Sequence, residues 1–142
     1  MRDAKITKQN ILDCAVKLFA EKGFDGARVD KLAEMAGVNK ALIYYYFKSK
    51  DEILEVIFNE FIEKANGILM ELAMKDITFD SPEAKEYMGR YNQFLMDNPD
   101  ILKIMMIESI KGKTKNPPIF KLIDYSGPEG TCEEDVIKKL QE

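Results

Sequence analysis

From Ile11 to Leu72 the apolar side chains recur three and four positions apart, and no segment alternates with a period of two over β-branched residues. That spacing puts them on one stripe of an α-helix. A chain built this way folds as helices packed stripe to stripe, and its glycines and cap residues decide where each helix stops. A first helix is expected from an N-cap at Thr7, with Ile11, Leu12, Ala15, Val16, Leu18 and Phe19 inward, to a left-handed glycine at Gly23. A second runs from Val29 to Ala36 and ends at Gly37, and a third, capped by Asn39, runs from Lys40 to Phe47. Ser49 and Glu52 form a capping box opening a fourth helix that continues to about Met74, a rod of roughly 38 Å at 1.5 Å per residue. That is longer than the first three helices can cover, so it must also pack against residues downstream. Ser81 with Pro82 opens a fifth helix, Asn98 with Pro99 a sixth that stops at Gly112, IFKLIDY at 119–125 reads as a further short element, and Thr131 with Glu134 opens a last one. The fold class is all-α.

The third helix holds Tyr44, Tyr45 and Tyr46 in succession. Each residue turns about 100° around a helix axis, so three neighbours cannot all be buried. Ile43 and Phe47 share the inward face, with Tyr46 on its shoulder. Lys40, Ala41, Tyr44, Tyr45 and Lys48 are left on the outer arc. Two short helices joined at a glycine fit a helix-turn-helix. Ala33 permits the close crossing, Gly37 the positive-φ bend, and Val38 and Ile43 plug the angle between the helices. An arc with cations at both ends, a small residue and two phenols suits the DNA major groove. Packing of Tyr44 and Tyr45 against the fourth helix or another subunit is the alternative.

Residues 1–50 carry ten Lys or Arg and six Asp or Glu, a net of +4, and residues 51–142 carry eleven against nineteen, a net of −8. A basic first third is what a chain meeting a polyanion at one end would show. The chain has no histidine and two cysteines, so Ser-His and Cys-His nucleophiles and His/Cys zinc sites lack their parts. The glycines form neither a P-loop nor GxGxxG. No catalytic residue, metal or cofactor is expected. There is no long apolar run and no signal-peptide core, and Cys14 and Cys132 lie far apart, so a cytoplasmic protein off the membrane is expected.

The segment ILDCAVKLFAEKGFDGARVDKLAEMAGVNKALIYYYFKSKDEIL closely resembles the N-terminal domain of TetR-type (tetracycline-repressor-like) transcriptional regulators. It carries their apolar first helix with LF, G-F near its end, V-x-x-[IL]-A-x-x-A-G-V, [LI]-Y-x-[YH]-F and K-x-x-L, over about residues 7 to 54. The resemblance implies a homodimeric, sequence-specific DNA-binding repressor. It would bind a palindromic duplex operator and be released by a small apolar or amphipathic effector. A helical ligand-binding or interaction protein that no longer binds DNA, antagonising a full-length relative, is the alternative. The implied layout is a helix-turn-helix domain over 1–50 joined by the long fourth helix to a helical effector and dimerisation domain over 51–142. Family members continue for about two more helices, so that domain is expected to be incomplete. Position by position, Lys40, Ala41, Leu42, Tyr44 and Tyr45 fall where the family contacts groove and phosphate, with Asn39 and Lys48 flanking them. Lys50, at the start of helix four, matches a lysine that meets the backbone. Where the family usually has Thr or Ser before Val29, this chain has Ala27-Arg28, losing a hydroxyl cap and gaining a phosphate partner. Beyond residue 60 the methionines and aromatics would line an effector pocket, with Phe61, Met70, Met88, Tyr91, Phe94 and Met105 as candidates and Arg90 or Glu108 to orient a ligand. The same residues would equally serve as core.

Overall fold

Helix α1 covers Ala4–Lys22 and so starts ahead of the cap expected at Thr7. The cap is Asp3, whose carboxylate accepts the Lys5 backbone N–H at 3.1 Å. Thr7 is buried inside the helix, and its hydroxyl donates to the Asp3 carbonyl four residues back. A threonine can satisfy itself in that way within a helix, whereas an acid gains most at the terminus, against the helix dipole. In this computed structural model residues 3–113 and 117–123 are described. The helix expected from Thr131, with Cys132 and Glu134, and the end of the 119–125 element at Tyr125 lie outside them.

Six further helices follow: α2 (Val29–Ala36), α3 (Lys40–Tyr46), α4 (Lys50–Met74), α5 (Pro82–Met96), α6 (Pro99–Ile110) and the short α7 (Phe120–Ile123). No strand occurs among the described residues, and the chain is all-α. Gly23 closes α1 at φ 75°, ψ 156° rather than in the left-handed helical region expected of it, a conformation open almost only to glycine. Gly37 does take that left-handed form, at φ 67° and ψ 33°. Its N–H donates to the Glu34 carbonyl at 3.2 Å, and the next N–H, of Val38, to the Ala33 carbonyl at 3.0 Å. This pair of reversed bonds is a Schellman turn, which ends α2 and aims the chain at α3. Ser49 and Ser81 cap α4 and α5 through the N–H groups of Glu52 and Ala84, both at 3.1 Å. The expected capping box is shifted by one, for the Glu52 carboxylate accepts from the Lys48 N–H.

One apolar core runs through the molecule. Ile11, Ala15, Ile43 and Ala65 are wholly shielded, and Phe47, Ile53, Phe61, Ile104 and Met105 are nearly or wholly so. It joins α1–α3 to α4 and reaches α6 and Leu122 of α7. As its length requires, α4 packs onward: its far half meets α5 around Leu72, Ala84 and Tyr87. Cys14 is half-buried at the rim of the core. Burial pushes its thiol pKa up.

Lysines in and just after α6 hold the far side of α1 and the α1–α2 loop. Lys111 Nζ lies 3.0 Å from the Asp25 carboxylate and 2.6 Å from Glu108, and Lys103 Nζ donates to the Ala20 carbonyl at 2.9 Å. The Lys111 ammonium holds the Asp25 carboxyl below its ordinary pKa, and Glu108 first, then Asp25, raises that of Lys111. A lowered carboxyl stabilises the fold above its unfolded pKa and loses that effect as pH falls through the folded one. The raised lysine stabilises below its unfolded pKa and fades as pH rises through the folded one.

This architecture is open to two measurements. Ile11→Ala should cost about 2–5 kcal/mol in urea unfolding, as a cavity in a shielded core does, whereas Ile6→Ala at a 66% exposed site should stay within about 0.5 kcal/mol. Asp25→Asn should lower the urea midpoint slightly near neutral pH and leave it unchanged once the wild-type carboxyl is protonated.

Candidate nucleic-acid interface

Helix α3 has only seven residues, and its orientation is set by what it buries. Ile43 and Phe47 are 0% and 1% exposed. Asn39 fixes its start, its side-chain oxygen accepting the Leu42 N–H at 2.7 Å. Turning those groups inward leaves Lys40, Ala41, Tyr44, Tyr45 and Lys48 outward, and all five are exposed, Tyr45 to 80%. Tyr46 is half-buried and supports Tyr45 edge-on, ring centroids 5.2 Å apart. Leu42 is half-buried, so it contributes more to packing than to an outer face. The structure therefore gathers most of the expected residues on one arc.

Arg28 is exposed at the start of α2 and makes no side-chain cap bond. Two residues that sequence reasoning passed over join this surface. Asp30 places a carboxylate oxygen 3.2 Å from Lys40 Nζ. From α1, Lys8 extends its ammonium to 5.5 Å from the ring centre of Phe47, the residue next to Lys48. Neither has a local spacing signal, because both pairings join different helices.

Lys50 has its partners within the chain. Its ammonium faces the protein, donating to the Phe24 carbonyl at 2.6 Å and the Ala27 carbonyl at 3.1 Å, and it sits 4.5 Å from the Phe24 ring centre. These loop carbonyls have no helical partner, and a lysine at the first position of α4 supplies one. Lys50 braces the loop that leads into Arg28 and α2.

The residues expected to form one effector pocket do not meet in one. Met105 is fully buried in the core, while Met70 and Met88 are exposed on α4 and α5. Tyr91 is half-buried and donates its hydroxyl to the Leu122 carbonyl at 3.2 Å, and burial raises its pKa. Phe61 and Phe94 do come together, stacked with centroids 5.2 Å apart, beside a groove of about 140 Å³ between α1 and the α4–α5 face. A hollow of about 340 Å³ lies between α1 and the α5–α6 corner and is bordered by Asp13, Lys17, Asp97 and Asp100, none of them expected. Arg90 pairs on the surface with Glu71 at 3.3 Å and Glu108 is taken by Lys111, so neither points into a ligand site. Apolar composition could not distinguish a core methionine from a surface one.

The family model described as "Bacterial regulatory proteins, tetR family" matches residues 11–57, the span from α1 into α4 that builds this interface. Residues 11–57 form the N-terminal domain of the tetR family. It is 31% identical over 117 residues to the HTH-type transcriptional repressor SCO4008 of Streptomyces coelicolor, covering 82% of this chain and 57% of that one. With the HTH-type transcriptional repressor NicS of Pseudomonas putida it shares 30% identity over 114 residues, 77% of this chain and 51% of the other. A crystal structure of a transcriptional regulator from Aquifex aeolicus VF5 superposes with a TM-score of 0.70 at 24% identity, over 83% of this chain and 66% of that one. That likeness is one of fold. The chain spans about half the length of the curated relatives it matches. No helix among the described residues is long and apolar enough to cross a membrane.

For this tetR-family domain the brace at Lys50 has a direct check. Lys50→Ala removes the side-chain donor from the Ala27 carbonyl and leaves the Phe24 carbonyl with the Ala27 N–H alone, and should cost about 1–3 kcal/mol in urea unfolding, with Lys48→Ala near zero. Equal, negligible effects of the two substitutions would return Lys50 to a purely phosphate-binding role.

Proposed function

We propose that this chain is a sequence-specific DNA-binding transcriptional repressor whose α3 enters the major groove. The observation that carries the reading is the outward arc of α3, where two lysines, Ala41 and two tyrosines all stand exposed. Lys40 reaches base edges or phosphate, Ala41 lets the helix approach, and the Tyr44 and Tyr45 hydroxyls donate to phosphates while their rings meet thymine methyls. Arg28 and Lys48 hold the backbone on either side, and Asn39 keeps the helix in register. The relatives named as HTH-type transcriptional repressors support the same reading.

By analogy with the family, residues 1–50 act as the DNA-binding unit and 51–142 as the unit that senses and assembles. The operator is palindromic and read by a homodimer, with half-sites about one helical turn apart. An apolar effector that loosens DNA binding would enter by parting Phe61 from Phe94, the two members of the expected set that touch. Such a protein acts in the cytoplasm, with the chromosome.

Selection of bound duplexes from a random pool, followed by anisotropy titration, tests it. Tyr44→Ala with Lys48→Ala should abolish selection. Lys48→Ala alone should weaken all duplexes about equally and reduce the slope of log affinity against log salt by about 1. Failure to select any duplex, or a flat salt dependence, would leave a helical interaction protein that does not bind DNA.

A further inference from the structure

Resting on the DNA-binding reading, one feature of the interface goes beyond it: an anion stands where a polyanion is to be met. The Asp30 carboxylate, with its side chain 72% exposed, lies 3.2 Å from Lys40 Nζ at the start of the recognition helix. An acid on such a surface repels phosphate at every sequence and lowers non-specific binding. It is useful only where the groove gives it a hydrogen to accept.

The two heads form an acceptor and a donor one hydrogen-bond length apart. The major-groove edge of a G·C pair offers the complement: guanine O6 and N7 accept, cytosine N4 donates, and O6 and N4 lie about 2.9 Å apart, hydrogen-bonded to each other. Lys40 can pass from Asp30 to the two guanine acceptors while Asp30 takes the cytosine N4–H. An A·T pair fits less well, since its acceptors are split by the adenine N6 donor and its O4 is flanked by the thymine methyl. We propose that the Asp30–Lys40 ion pair reads a single G·C base pair in each bound site. In the free protein each head satisfies the other. The exchange leaves no charge unpartnered only where that base pair is present, so the pair both rewards the right sequence and penalises the rest.

The test is duplex selection with the wild type, Asp30→Ala, Lys40→Ala and the double variant, followed by competition titrations with single-base variants of the selected site. Circular dichroism establishes that each variant is folded. The wild-type site should hold one G·C position per half-site, worth about tenfold in affinity. Each single substitution should flatten preference at that position and spare the others, and the double variant should flatten it no further. Asp30→Ala should also tighten binding to random duplex, so the ratio of selected to random affinity falls. Three outcomes overturn the inference while leaving DNA binding intact. They are a wild-type site without such a position, preferences that survive Asp30→Ala, and a uniform shift across all sequences, which would mark Asp30 as bulk charge alone. Recovery of no site by the wild type would instead overturn the DNA-binding reading, and the inference with it.

Discussion

Burial of Ile43 and Phe47 in the core they share with α1, α2 and α4 is the contact on which the interface depends. A helix of seven residues has almost no stability of its own, because isolated helices below about 12–15 residues are marginal in water. It exists here because two large apolar side chains, four apart, are almost completely withdrawn from solvent and because Asn39 closes its first turn. The outward arc is the geometric complement of that anchor. Once positions 43 and 47 point inward, positions 40, 41, 44, 45 and 48 must point out. A chain that keeps the anchor can therefore vary the arc, and hence what it reads, at little cost to folding.

The anchor in turn rests on helices well beyond the DNA-binding segment. Ile104 and Met105 of α6 belong to the same buried cluster as Ile11 and Phe47. The short loop between α1 and α2 is gripped from two sides, by Lys50 through the Phe24 and Ala27 carbonyls and by Lys111 through Asp25. Exposed ion pairs such as Lys111–Asp25 contribute little, so the shared core, more than the pairs, ties the two ends together. The packing is continuous across residue 50.

How much of this could be read beforehand depends on the range of the interaction. Local rules located α2 to α6 closely, because Gly37, Asn39, Ser49, Ser81 and Pro82 act on the residues next to them. The inward and outward faces of α3 also followed from helical geometry alone. Long-range pairings escaped. Lys50 meets carbonyls 26 and 23 residues earlier in the chain, and Asp30 meets Lys40 across two helices, contacts that no spacing rule encodes. The first cap is misplaced at Thr7, which satisfies its hydroxyl inside the helix while Asp3 caps it. In the C-terminal half, six methionines beyond residue 60 promised a pocket, yet one is wholly buried while Met74 and Met96 are 84% and 71% exposed. Thioether chains pack in a core or lie on a surface with equal ease, so their spacing carries little information about which.

Charge bears on how an acidic chain would approach DNA in the proposed way. Spread evenly, a net charge of −4 would repel a duplex. It is not spread evenly: the first fifty residues carry a net of +4, and residues 51–142 a net of −8. At physiological ionic strength charges more than about 8 Å apart are largely screened from one another. A duplex seated on α3 as proposed would meet Arg28, Lys40, Lys48 and, from α1, Lys8 at close range, with the more distant acids largely screened from it. Raising salt weakens the distant repulsion only slightly, because screening has already removed most of it. The near attraction, which releases counterions from the phosphates, loses far more. A protein acidic in total and basic at one end thus keeps the salt dependence of a basic one.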